Sequence, residues 1–298
     1  MGLGAAMAIG TEGWVLSGGP PSVGGALGWA TRAGIERLHL LSDEPGGDAA
    51  RQLAEFALAG DVSRVVGTGV EPVAPSPLEV WPAPEPEALA LVGALESAGA
   101  DVVVEQGVVK AEILGLEVAR VVRGATGAPE VAVGVGRHDR EAHAMLLEAG
   151  TPTDLQSVIE MVRAQRTAEA PSSPASQLAP ERWLRSVVMS DPSLVGAVSL
   201  EPAPSPVARP DLRRPAPAPA IGIDRAGNTV LVVCSVGDDP DLVPAAADAR
   251  LAAGREVRLL LAVPEGDDLP VTRRLAGLLR HPAEVVTVAK DWRQWLPR

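Results

Sequence analysis

Tyrosine is absent from this 298-residue chain, phenylalanine occurs once (Phe56) and cysteine once (Cys234). An interior with so few aromatic rings must be filled by Ala, Val and Leu, with the six Trp as isolated anchors. A single cysteine excludes an intramolecular disulfide and a multi-cysteine zinc site, which suits a reducing cytoplasm. Cys234 itself reads as a small buried core residue rather than a nucleophile. No window approaches about 20 uninterrupted apolar residues, so no membrane span is expected. The stretch Met1–Gly10 is apolar, but it is short and has no basic leader, so it does not read as a signal peptide. A basic surplus is also missing: 26 Lys and Arg stand against 38 Asp and Glu, for a net charge of −12. That balance disfavours a broad nucleic-acid or anionic-membrane surface, although a local basic groove stays compatible with it. Neither a P-loop nor a GxGxxG pattern opens a helix.

What is present is a high apolar content, 46%, enough for two or three domains with real cores. The abundance of Ala, Gly, Pro and Arg matches a high-GC bacterial coding sequence. Residues 229–288 read strand, helix, strand, helix, strand, over Val230–Val233, a helix ending near Gly254, Val257–Val263, Val271–Arg280 and Glu284–Val288. Its first two strands are continuous apolar runs, the pattern of a parallel sheet covered on both faces. Leu275, Leu278 and Leu279 follow Val271 at helical spacing. A weaker copy opens the chain: Trp14–Ser17, a helix from Ser22 to Ala33 with Ser22 as its cap, Leu38–Leu41, a helix from Asp48 to Leu58, and Val62–Val66. From Leu16 to Leu40 to Val65 the steps are 24 and 25 residues, and from Val232 to Leu260 to Val286 they are 28 and 26. Parallel strands need crossovers of this size, so two like-built units are the economical reading. The alternative is that two unrelated α/β segments look alike at this level.

Between the units the sequence predicts a central α+β module: a helix over Glu87–Ala98, strands at Val102–Glu105, Val108–Leu114, Glu117–Val122 and Val131–Val135, and helices at Asp139–Ala149, Asp154–Arg166 and Pro180–Met189. Pro72–Pro86 reads as a connector, and Pro202–Pro219, with seven Pro, as the clearest linker. The expected fold is therefore α/β, with two Rossmann-like βαβαβ units flanking a central α+β module. The boundaries are 12–70, a connector at 71–86, the central module at 87–200, a linker at 201–220, and the last unit at 221–298.

Three places carry residues suited to chemistry. Glu105, Lys110, Glu112 and Glu117 lie on neighbouring predicted strands, and this helix–sheet–helix order resembles the PD-(D/E)XK nuclease core. The resemblance implies acidic residues holding a divalent metal such as Mg²⁺ and a Lys orienting the attacking water. The chain departs from that pattern where the acid-x-Lys triplet should fall, on Ala132, Val133 and Gly134. Arg137 and His138, followed by Asp139 and Glu141, form the densest polar cluster. They read as an anion-holding helix start or, more plainly, as a capped helix. His143 follows, with no third metal ligand in sight.

After the first strand of the last unit comes a long loop, Ser235–Val243, with Gly237 and Asp238, and Pro244 is expected as the first helical residue. It sits at the carboxyl end of a strand, where open α/β sheets take ligands, and Ser17, Gly18 and Gly19 occupy the equivalent corner. The Val-rich strand, Ser/Gly loop, Leu-rich strand and Arg273–Leu279 run resemble CARF domains, which implies a cyclic oligonucleotide ligand. Two such units around a nuclease-like module resemble some CRISPR-associated ancillary nucleases. Asp238, Asp239 and Asp241 depart from that pattern because they would repel phosphate, and a solvated acidic turn is the plain alternative. Trp292 and Trp295 share one helical face and would dock the tail on the protein's own body or on a partner.

The expectation is a cytoplasmic, non-catalytic protein binding a ligand, such as a small nucleotide, or a protein partner, with no cofactor and with self-association open. The alternative is a metal-dependent nuclease regulated by a bound nucleotide.

Overall fold

The computed structural model describes residues 4–136, 154–169, 173–207 and 216–294. The N-terminal unit is a five-stranded sheet in sequential order: β1 (Ala5–Ile9), β2 (Glu12–Ser17), β3 (Arg37–Ser42), β4 (Ala59–Val66) and β5 (Gly69–Pro72). Strands β2, β3 and β4 are parallel and are joined by α1 (Val23–Ala33) and α2 (Gly47–Ala54). Ser22 caps α1, its hydroxyl accepting from the Gly25 N–H. Helix α2 starts one residue earlier than expected, with Gly46 as its cap, and Asp48 stands in the first turn, where its charge suits the helix dipole. The helix stops at Ala54, which leaves Ala57 exposed while Leu53 and Phe56 are buried.

The central module is an antiparallel meander of β6 (Asp101–Glu105), β7 (Val108–Ile113), β8 (Leu116–Arg123) and β9 (Pro129–Val133). The expected helix before it is two short pieces, Pro86–Leu89 and α3 (Val92–Ser97). Helix α4 (Leu155–Gln165), capped by Asp154, packs Val158, Ile159 and Val162 on β7 and β8. Helix α5 (Pro180–Ser190) follows. The sequence-expected helix over 139–149 lies outside the described residues.

The C-terminal sheet runs β10 (Ala197–Pro202), β11 (Ala218–Asp224), β12 (Thr229–Cys234), β13 (Arg258–Pro264) and β14 (Glu284–Val288). Again three strands, β12 to β14, are parallel, joined by α6 (Leu242–Ala253) and α7 (Pro270–Leu278). Pro244 is the third residue of α6, not the first, a position whose N–H would have no helical partner in any case.

Two corrections concern organisation. Both end sheets are mixed, with antiparallel strands added at β1 and β5 and at β10 and β11. The added strands β1 and β5 escaped the sequence reading because they are exposed throughout and so show no apolar alternation. The Pro202–Pro219 stretch does not separate modules: it joins β10 to β11 inside one sheet, so the C-terminal unit begins at Ala197. Ala203, Ser205 and Ala216 in that connection are buried. Proline content alone does not distinguish a linker from a connection held down at both ends.

The C-terminal sheet is the shared wall of two cores. Val230, Val232 and Cys234 of β12 and Leu260 and Ala262 of β13 face a core completed by α5 and the central meander. Leu231 and Val233, with Leu259, Leu261 and Val263, face the opposite core, which they share with α1, α2, α6 and α7. Side chains alternate across a strand, so one continuous apolar run feeds both. The two end units thus pack helix layer against helix layer. Phe56 and Leu279 form an antiparallel bridge between them, flanked by Ala57 N–H to Leu278 O at 2.8 Å and Arg280 N–H to Glu55 O at 2.9 Å.

Candidate functional site

The four nuclease-like candidates do come together. Lys110 and Glu112 alternate with Val109, Ala111 and Ile113 along β7, so both point away from the apolar core. Glu105 on β6 shares their face through the Val103–Lys110 and Asp101–Glu112 register. On β8, Glu117 and Arg120 are three apart and would face opposite sides of a regular strand. A bulge in the β7–β8 pairing, between Ala111 and Glu112, puts the two on one side. There Arg120 donates to Glu117 through Nε at 2.6 Å and Nη2 at 2.8 Å.

The sequence reading missed the other half of this cluster, which comes from α5. Gly115, in the β7–β8 turn with φ +75°, lets α5 lie directly on the strands: a Cβ there would sit 2.2 Å from the backbone carbon of Arg182. Arg182 then donates to Glu105 Oε2 at 2.5 Å and to Glu112 Oε1 at 2.6 Å, while Arg185 donates to Glu112 Oε2 at 2.6 Å. Lys110 Nζ lies 2.7 Å from Glu105 and 3.9 Å from Glu117. All of these groups except Arg120 are nearly inaccessible.

Each of the three carboxylates therefore has two cationic neighbours, and four cations, Lys110, Arg120, Arg182 and Arg185, surround three carboxylates. Burial pushes the Glu105 carboxyl up, but Arg182 and Lys110 outweigh it and hold it at about 2. Burial alone would lower Arg182, and Glu112 and Glu105 reverse that and raise it. A divalent metal would have to displace Lys110, Arg182 or Arg185 from these carboxylates, so the residues do not fit one in this arrangement. Among the described residues no group of three His, Cys, Asp or Glu is placed to hold a metal ion. The signal that pointed here was available: carboxylates on strands of an apolar module need buried cations, and Arg182 and Arg185 share a face of a helix at i and i+3.

The second place is the corner where the end units meet. Asp241, directly before α6, reaches across to the start of α1, where its Oδ1 accepts from the Ser22 hydroxyl at 3.0 Å and the Gly24 N–H at 2.9 Å. The approach is close: a Cβ on Gly24 would lie 1.7 Å from Pro240 O. The N-terminal end of α1, which favours an anion, is thus occupied by a carboxylate of the chain itself. Asp267 Oδ2 accepts from the Gly237 N–H at 2.7 Å and pins the loop from the other side. Burial pushes the Asp239 carboxyl up to about 6, against the hydrogen bond it receives from the Asp241 N–H.

Beside this contact lies a cavity of about 190 Å³, lined by Gly24, Gly28 and Arg32 of the first unit and by Asp238, Asp239 and Val271 of the last. Of the predicted ligand residues, Asp238 lines it. Gly237 is exposed beside it, and Ser235 is buried at the end of β12 with no hydrogen-bond partner on its hydroxyl. Ser17, Gly18 and Gly19 form the equivalent turn of the first unit, where Gly19 O accepts from the Ser42 hydroxyl at 3.0 Å and Ser17 donates to Pro20 O. Arg137 and His138, with Asp139, Glu141 and His143, lie outside the described residues. Cys234 is fully buried, and burial pushes its thiol up to about 12, far from thiolate chemistry.

The tail docks on the protein's own body. Trp292 is buried edge-on against Trp183 of α5 at 5.5 Å, with Arg293 over the Trp292 ring and Arg166 over the Trp183 ring. Trp295 lies outside the described residues.

No family model, no curated protein and no solved structure matches this chain. Among the described residues no helix is long and apolar enough to cross a membrane.

Proposed function

We propose that this chain binds a ligand or a protein partner and performs no chemistry of its own, its nuclease-like centre serving as a charged structural core. The observation that carries this reading is the pairing of Glu105, Glu112 and Glu117 with two cations each. Such pairs neutralise the negative charge that would draw a metal and hold the carboxylates in place. Removing one partner of a buried pair costs about 3–5 kcal/mol, so these acids are held to the fold, not poised for turnover. A small ligand would enter the cavity between α1 and the Asp238–Asp239 loop. Asp241 already fills the anion position at α1, so the cavity suits a neutral or cationic group better than a phosphate. A nucleotide, the ligand that the CARF likeness implies, would have to displace that carboxylate.

The second reading, a metal-dependent nuclease regulated by a bound nucleotide, draws support from the convergence of the same acids on Lys110. A cleavage assay on single- and double-stranded DNA and RNA with Mg²⁺ or Mn²⁺ separates the two. The expected result is no metal-dependent cutting by the native chain. Cutting that Glu117→Ala abolishes would establish the nuclease instead. For the ligand, a thermal shift with a panel of nucleotides, run on the native chain and on Asp241→Ala, tests the cavity. Stabilisation by nucleotides only after the substitution is the expected pattern, and silence in both proteins would remove nucleotides as ligands.

A further inference from the structure

The three sheets present six edge strands among the described residues, and five of them carry a device that discourages pairing with another chain. Strand β5 has Glu71 and Pro72, β10 has Glu201, Pro202 and a bulge, and β14 has Glu284. In the central meander β6 has Asp101 and Glu105, and β9 has Pro129 and Glu130. Only β1, Ala5-Ala6-Met7-Ala8-Ile9, has no charge, no proline and no bulge. Among the described residues it pairs with β2 alone, and all five of its residues are exposed, Met7 at 55% and Ile9 at 61%. The first charged residue of the chain, Glu12, lies beyond it.

We propose that β1 pairs with β1 of a second copy, antiparallel across a two-fold axis, and joins the two N-terminal sheets into one of ten strands. Three observations favour a second copy over a foreign strand. An unprotected edge presents a row of unpaired N–H and C=O groups that a like strand satisfies. A strand paired antiparallel with itself gives a closed, isologous contact, which stops at two copies and does not run on into a fibre. Full overlap of Ala5–Ile9 places Ala5 opposite Ile9, Ala6 opposite Ala8 and Met7 opposite Met7, small residues alternating with apolar ones. Net charge opposes the contact, and β1 is the place where it opposes it least. Two molecules of net charge −12 repel each other, and β1 is a stretch where their backbones meet without bringing like side-chain charges together. The sheet face continuous with β1 carries Leu16, 44% exposed, and Trp14 stacked on His39, so the joined sheet would extend an apolar strip across the axis.

The test is the mass of the full chain in solution, by light scattering and sedimentation, with the chain itself weighing 30.6 kDa. The expected result is twice that mass at micromolar concentration. Met7→Asp, which sets like charges face to face at the axis, should raise the dimer dissociation constant at least about tenfold with an unchanged circular dichroism spectrum. Mixing Met7→Asp with Met7→Lys should restore the dimer, which a change that merely disturbs folding cannot do. Val70→Asp on the opposite edge strand should leave the mass unchanged. A native chain that remains a monomer, or a dimer insensitive to Met7→Asp, or one broken by Val70→Asp instead, would overturn the proposal.

Discussion

The two end units share a βαβαβ core and differ in what lies on the far side of their sheets. The C-terminal sheet is buried on both faces, by α6 and α7 on one side and by α5 with Trp292 on the other. In the N-terminal sheet Leu38, Leu40 and Val62 are buried under α1 and α2, whereas the opposite face carries Met7, Leu16 and Asp61 with much of their surface accessible. The sequences register this difference. β12 and β13 read Thr-Val-Leu-Val-Val-Cys and Arg-Leu-Leu-Leu-Ala-Val-Pro, apolar on successive residues, whereas β3 reads Arg-Leu-His-Leu-Leu-Ser, with apolar residues every second place at its centre. A strand that must satisfy two cores cannot alternate, and one that faces a single core can. Like connectivity therefore does not imply like surroundings: one unit is the wall between two cores, and the other is the end of the stack.

The largest expected effect tests that asymmetry through a tryptophan on each side. Trp183→Ala empties a site that is 1% exposed beneath the C-terminal sheet and should cost about 3–5 kcal/mol. Trp14→Ala, on the open face of the N-terminal sheet, removes a half-buried ring stacked on His39 and should cost about 0.5–1.5 kcal/mol. Urea unfolding of both variants measures the gap, and equal losses would mean that the N-terminal face is covered too. A smaller effect concerns the seam between the units. Asp241→Ala removes the carboxylate that accepts from Ser22 and Gly24, and should lower stability by about 1 kcal/mol, the value of a lost helix cap. Hydrogen exchange should show faster opening at the start of α1 than at its end.

A last comparison depends on pH. The Asp239 carboxyl is raised in the folded chain to about 6, so between its unfolded value and 6 the folded state binds more protons than the unfolded one. Its contribution to stability therefore falls as pH rises through that window. Asp239→Asn should be more stable than the native chain at pH 7, and the difference should close as the pH is lowered to about 4. Melting temperatures of both proteins across that range give the comparison. An unchanged difference at both ends would mean that Asp239 titrates as an ordinary surface carboxyl.

Much of the fold was legible from residue patterns. The parallel strands of both units, the meander, the Ser22 cap and the helical stripe of Val158, Ile159 and Val162 all follow from local periodicity and capping. The edge strands β1 and β5 were not legible, because a strand with no buried face leaves no periodic trace. The proline-rich stretch before β11 was misread because its role is set by strands that flank it and pair with each other. At the charged centre, Glu105, Lys110, Glu112 and Glu117 were found on their strands, but Arg182 and Arg185, some 70 residues away in the chain, were not connected to them. A bulge decides that Glu117 and Arg120 share a face, and no alternation rule reads a bulge.

The sequence by itself determined the kind of protein this is: an α/β chain of repeated strand and helix units, poor in aromatics and rich in acid, with carboxylates and a lysine on the strands of its middle. Those properties are local, set by side-chain spacing along a few turns or a few strand residues. Only the tertiary structure decided that α5 lays two arginines over those carboxylates, that Asp241 fills the end of α1, and that one end sheet is walled in while the other, among the described residues, stays open on a face and an edge. Such decisions belong to elements far apart in the chain, and electrostatic pairing and burial act on distance in space, which spacing along a sequence does not encode.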